Sequence, residues 1–247
     1  MANTRIEWAD RVWNPITGCT PVSEAFDNCY AARMAKRLSG MGLYPQIPDH
    51  FKVTFHPDKL SEPSRWKAPK KVFVCSMGDL FHEAIFFEQI NPLFALMALF
   101  SRHIFMILTK RPERMLKFFN TGISSRLAEI RSEFYRLPGY EAYKGNWPLP
   151  NVWLGVTCEN QQRADERIAI LLQIPAAKRF VSIEPMLGEV FLDSYFPEYD
   201  YRPTYDFAKP FFPEANGKPI LIGQGIDWVI CGGESGPNRR EFAVEWA

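Results

Sequence analysis

The segment Ile104-Phe105-Met106-Ile107-Leu108-Thr109-Lys110-Arg111-Pro112-Glu113 contains a strand, its polar end and the start of a helix in one short run. Ile104–Leu108 is apolar at every position, as a parallel strand buried on both faces must be. Thr109-Lys110-Arg111 breaks the run, and Pro112 at a first helical position followed by Glu113 opens a helix. The pattern repeats outward at Lys71–Val74, Val152–Val156, Arg179–Ile183 and Asp227–Cys231, with early strands expected around Ile6–Trp8 and Val12–Pro15. Asn91-Pro92 reads as a second helix start, a capping side chain followed by proline. Asn160 to Gln173 carries Ile168, Leu171 and Leu172 among charges and is stopped by Pro175.

Strand–helix alternation implies βαβ units around a parallel sheet. The expected architecture is α/β: a partial or full (β/α) barrel with mostly parallel strands, forming one domain over residues 1–247. A doubly wound open sheet is the alternative. Residues 120–150, a helical piece ending in a Gly/Pro/Trp loop, and 194–226, rich in Pro, Tyr and Phe without a clear period, read as insertions.

Composition sets the function classes. At 47% hydrophobic and 23% charged residues, the chain can bury a core and is not disordered. A net charge of +1 argues against a broad basic surface for nucleic acid, though not against a local patch. The N-terminus has no apolar signal run, and charged and polar residues interrupt the apolar stretch Ala84 to Leu108, so no membrane contact and a cytoplasmic location are expected. In that reducing setting the five cysteines point to metal or redox chemistry more than to disulfides. Cys158 and Cys231 lie in apolar strand contexts and are expected in the core.

In a parallel α/β fold the carboxyl ends of all strands share one face. Those ends carry Ser76 and Asp79 after Val74, Lys110 and Arg111 after Leu108, Glu159 and Asn160 after Val156, Glu184 after Ile183, and Glu234 after Ile230. Three carboxylates and two cations are therefore expected to share one mouth, although any one of them alone could be a helix cap or a surface charge. Gly232-Gly233-Glu234-Ser235-Gly236 lacks the Lys-Ser/Thr of a P-loop and the spacing of a dinucleotide fingerprint. His82-Glu83 lacks the second histidine of a zinc-protease motif, and no nucleophile elbow is present.

The most distinctive stretch is Trp13-Asn14-Pro15-Ile16-Thr17-Gly18-Cys19-Thr20-Pro21-Val22-Ser23, followed by Asp27-Asn28-Cys29-Tyr30-Ala31. With Ile6-Glu7-Trp8, Asp79-Leu80-Phe81-His82-Glu83, Leu108 to Pro112, Trp153 to Val156, Glu159-Asn160-Gln161, Phe180 to Pro185 and Gly232 to Gly236, it resembles a phage and prophage family of three-cysteine-motif proteins, radical SAM-like and of unassigned function. The resemblance covers nearly the whole chain. It implies a radical SAM-type barrel and a [4Fe–4S] cluster on three thiolates, with the fourth iron open to S-adenosylmethionine. It places Cys19 and Cys29 as metal ligands and Ser76, Glu159, Glu184 and Glu234 as cofactor contacts. Asn14, Asp79, His82, Lys110, Arg111 and Asn160 would contact substrate, which by analogy with the superfamily is a nucleotide or nucleic acid, with an electron donor as a further partner.

The chain departs from the pattern where the family has its middle cysteine, for Phe26 stands there. Phenylalanine cannot ligate iron, so Asp27 or Cys75 would have to substitute. Family members also run on beyond Trp246-Ala247, which reads as the inside of a helix beginning near Arg240. The chain is therefore expected to be a fragment, or a partial barrel completed by another chain. The functional expectations are a radical SAM-like enzyme, a cluster-less member that binds a ligand or partner, and a non-iron metal hydrolase using His82, Glu83 and the carboxylates of the strand-end face.

Overall fold

The computed structural model describes residues 4, 6–122, 147–196, 214–215, 218–219, 225–235 and 237–246. The two expected insertions therefore lie almost wholly outside the described residues. The strands are β1 (Arg11–Trp13), β2 (Ile16–Thr17), β3 (Thr54–Phe55), β4 (Lys71–Val74), β5 (Ile104–Thr109), β6 (Val152–Thr157), β7 (Lys178–Ile183), the short pair β8 (Glu214–Ala215) and β9 (Lys218–Pro219), and β10 (Trp228–Cys231). The helices are α1 (Tyr30–Gly40), α2 (Phe87–Leu99), α3 (Pro112–Asn120) and α4 (Gln161–Leu171).

One parallel sheet runs in the order β1-β4-β5-β6-β7-β10. Among the described residues the order never reverses, so no switch point of the doubly wound kind lies there. Successive same-handed crossovers then advance in one direction around the sheet. Among the described residues the sheet is open, with β1 and β10 as its edges.

Each central strand is buried on both faces, and its side chains sort by parity. Val72, Val74, Phe105, Ile107, Leu154, Val156, Val181 and Ile183 join one core with Leu93 and Phe94 of α2, Phe118 of α3, and Ile168 and Leu171 of α4. Met106, Phe180 and Ile230 form a second core on the other face with Trp8, Trp153 and Trp228. Gly155 belongs to that face. A Cβ there would stand 2.6 Å from the Phe180 ring, so the missing side chain makes room for the aromatic.

Four expectations need correction. Ile6–Trp8 is a turn rather than a strand, with the Ala9 amide donating to the Ile6 carbonyl at 3.2 Å. The turn swings Trp8 against Phe73, Phe180 and Trp228, at ring distances of 4.6, 6.5 and 6.4 Å. Trp8 thus spans from beside the first edge of the sheet to the last. The α2 helix begins at Phe87, not at Asn91-Pro92. The Gln89 side chain accepts the Phe86 amide at 2.9 Å, Pro92 lies inside the helix, and Asn91 is buried rather than capping. No α-helix begins at Arg240 among the described residues. A 3-10 turn over Val244–Trp246 follows instead, and the Arg240 amide is taken by Glu234 at 2.8 Å. Cys158 is core, as expected, but Cys231 is exposed, because the last residue of an edge strand has no following neighbour to cover it.

Among the described residues no helix is long and apolar enough to cross a membrane.

Candidate functional site

At the carboxyl ends of the parallel strands lies a cavity of about 610 Å³. Its walls follow from strand parity. On β5 the inward stripe Ile104, Met106, Leu108 continues into Lys110, and on β7 the stripe Phe180, Ser182 continues into Glu184. Trp8 and Phe73 line the cavity from the aromatic face, and Glu7 lies beside Glu184.

The segment carrying Cys19 is pinned from both sides. Gly18 has φ +84° and its amide donates to the Met77 carbonyl at 2.8 Å; a Cβ there would sit 2.3 Å from the Lys52 carbonyl oxygen. Only glycine allows this approach. Arg111 holds the other side. Its Nε donates to both oxygens of Glu83 at 3.0 and 2.9 Å, and its Nη1 to Asp79 Oδ2 at 3.1 Å and to Cys19 Sγ at 3.4 Å. Its Nη2 donates to the Thr20 carbonyl and hydroxyl at 3.1 and 3.0 Å. Asp79 also accepts from the Thr109 hydroxyl at 2.7 Å, the Phe81 amide at 2.9 Å and the Lys110 amide at 3.2 Å. Arg111 and Asp79 are 4% and 5% exposed, so this pair anchors the wall and is not free to receive an anion.

His82 completes the same wall from behind. Its Nδ1 accepts the Ala84 amide at 3.1 Å, which leaves the proton on Nε2 to be donated to the Thr20 hydroxyl at 2.9 Å. Burial, then Arg111, pushes its pKa down and keeps the ring neutral. With both ring nitrogens engaged and Glu83 bound to Arg111, the histidine and neighbouring glutamate of the hydrolase expectation serve the fold.

The remaining expected site residues separate in the same way. Asn14 does not line the cavity; its Oδ1 accepts from the Ser76 hydroxyl at 3.2 Å and the Met77 amide at 3.0 Å. Asn160 caps α4 by accepting the Arg163 amide at 3.0 Å and donates to Glu24. Glu159 is fully buried behind the cavity against Arg167 Nη1 at 2.8 Å. Burial raises its pKa, but Lys110 and Arg167 outweigh that and hold it below the usual carboxylate range. Glu234 lines the cavity but is clamped: it accepts from the Asn28 amide group at 2.9 Å and from the Arg240 amide and guanidinium. Those bonds pull its pKa down to about 2.

Lys110 and Glu184 are different. Both line the cavity, and among the described residues neither charged group has a hydrogen-bond or ion-pair partner. Burial lowers the Lys110 pKa, opposed by Glu159. Burial, then Glu7, raises that of Glu184.

Sequence reasoning missed Arg167, Arg240, Thr20, Tyr30 and Glu7. Arg167 had a signal: it lies on the buried stripe of α4 with Ala164, Ile168 and Leu171, where a guanidinium needs a buried partner. Tyr30, whose hydroxyl donates to the Ser76 carbonyl, and Arg240 had none.

Cys19, Cys29, Cys75 and Cys231 all line the cavity. They do not provide a cluster seat. Among the described residues no group of three or more His, Cys, Asp or Glu is placed to hold a metal ion. Phe26 lines the cavity and packs on Phe51 at 6.2 Å between ring centres. Asp27 is 72% exposed and faces Arg240 at 3.6 Å. Cys75, the strand-end residue in the left-handed region at φ +58°, is 2% exposed, and burial drives its thiol pKa far up. Burial and then Asp79 raise that of Cys19, against the pull of Arg111. Among the described residues no third thiol joins Cys19 and Cys29 in one group, and Phe26 stands at the position where the resemblance expects one, which does not fit a cluster held by three thiolates.

No curated protein and no solved structure matches the chain. A family model described as "Protein of unknown function (DUF5131)" matches residues 3–247, and the chain belongs to that family.

Proposed function

We propose that this chain is a radical SAM-like protein that has kept the ligand cavity and lost the cluster seat. It acts as a binding protein for a nucleotide-sized ligand with one stacking ring and one anionic or carbonyl group. The observation that carries the reading is the cavity itself: about 610 Å³ at the carboxyl ends of the parallel strands, lined in part by Phe26, the residue at the position where the resemblance expects a third cysteine. That volume suits a small molecule. Trp8, Phe26 and Phe51 offer ring faces, and Lys110 offers the uncommitted cation.

Anaerobic reconstitution with iron and sulfide, followed by an iron count and a visible spectrum, tests the loss of the cluster. The expected result is no stoichiometric iron. About four irons per chain with a band near ~400 nm would overturn the reading and restore the radical enzyme, which the shared cavity position of Cys19 and Cys29 favours. Calorimetry with adenosine monophosphate and other mononucleotides tests the ligand. Saturable binding that Lys110→Met weakens by about tenfold or more supports the reading. Heat signals that never saturate with any mononucleotide argue against it.

A further inference from the structure

We infer that Lys110 is a carbonyl-trapping amine, which forms a reversible imine with an aromatic or heteroaromatic aldehyde seated in the cavity. The inference deepens the proposed binding function and rests on it.

Three observations point to this chemistry. First, Lys110 is half-buried and lines the cavity, where strand parity continues the inward stripe of β5. Second, among the described residues no carboxylate makes a hydrogen bond or ion pair with the Lys110 amine, although Glu159 lies near enough to oppose the effect of burial on its pKa. Asp79 is bound to Arg111, and Glu159 is paired to Arg167 at 2.8 Å. Third, the surroundings suit an aromatic ring, with Lys110 left to meet its polar substituent. Trp8, Phe26, Phe51 and Phe73 share the cavity, while the nearby Arg111, which would be the natural partner of a carboxylate or phosphate, is spent on protein groups. Burial lowers the Lys110 pKa, so more of it is the free amine near neutrality.

The step balances without an oxidant or reductant. The amine lone pair attacks the carbonyl carbon, a C–N bond forms and the C=O π bond breaks. The oxygen leaves as water with both amine protons, and the imine takes one proton from solvent to become an iminium. Hydrolysis reverses the sequence.

The test is reductive trapping on the whole chain. Benzaldehyde and sodium cyanoborohydride are added near neutral pH, and peptide mapping follows the benzyl adduct at every lysine. The surface lysines of the same molecule are the internal standard, so no variant has to fold. The expected result is that Lys110 is alkylated at least about fivefold faster than the mean surface lysine. A smaller ratio overturns the inference. Trace labelling with acetic anhydride, run in parallel, separates the two levels of the claim. If Lys110 is acetylated but not benzylated, the cavity is open and the carbonyl chemistry is wrong. If neither reagent reaches it, the cavity reading falls as well.

Discussion

Two walls of the same cavity carry equally polar residues and use them in opposite ways. On the Cys19 wall, Arg111, Asp79, His82, Glu83 and Thr20 hydrogen-bond one another. On the Lys110–Glu184 wall, among the described residues, the charged groups make no hydrogen bond or ion pair and feel Glu159 and Glu7 only at longer range. The difference shows that a polar residue at a strand end is not thereby a ligand contact. A buried charge that is fully partnered organises the loop, and one that faces an open cavity without a partner is available to something else.

The largest effect expected from this contrast is on stability. Arg111→Met removes the guanidinium that joins Asp79, Glu83 and the Thr20 carbonyl, leaving a 5% exposed carboxylate without that cation. Urea denaturation should show a loss of about 3–5 kcal/mol. Lys110→Met, one residue away, should cost less, staying within about 1 kcal/mol of the parent, because burial already disfavours its charge and Arg167 still pairs Glu159. Equal losses in the two variants would erase the distinction between the walls.

Much of this was legible in the sequence. Lys71–Val74, Ile104–Leu108 and Val152–Val156 announce buried parallel strands by unbroken apolarity, and the structure has strands there. Parity within those strands already sends Lys110 and Glu184 inward beside Leu108 and Ser182. What could not be read is partnership. Glu159 and Glu184 are both strand-end glutamates, yet one is met by Arg167, eight residues on along α4, and the other by no cation among the described residues. That depends on the path of each following loop. Trp8 was misread as a strand residue because an apolar Ile-Glu-Trp alternation looks the same whether it pairs or plugs a gap. Asn91-Pro92 misled because the cap motif is local, whereas α2 gains more by burying Ile90 and the residues that follow it on every side.

The second effect is a pH dependence. Glu234 ionises at about 2 in the folded chain against 4.5 for the free side chain, held down by Arg240 and Asn28. A depressed carboxylate stabilises the fold fully above pH 4.5, and that share is lost as pH falls from 4.5 toward 2. Glu234→Gln should therefore cost about 1–2 kcal/mol at neutral pH. It should also flatten the acid limb of the parent's stability curve measured by urea midpoints. An unchanged acid limb would mean that the clamp between the β10 loop and the Cys29 segment contributes nothing.

Glu184 gives the smallest effect, with the opposite sign. Burial and the neighbouring Glu7 raise its pKa, so folding disfavours its ionised form. A carboxyl whose folded pKa is raised withdraws stability as pH climbs through 4.5 toward that raised value, and the penalty persists at neutral pH. Glu184→Gln should thus stabilise at pH 7 and become indistinguishable from the parent below pH 4.5. The side chain is covered only in part, so solvent still screens its carboxyl, which keeps the gain within about 0.5 kcal/mol. Two glutamates lining one cavity would then answer the same substitution with opposite signs, one because its charge is held and the other because it is not. If Glu184→Gln instead destabilises at pH 7 as Glu234→Gln does, Glu184 has a partner after all, and the free wall reduces to Lys110.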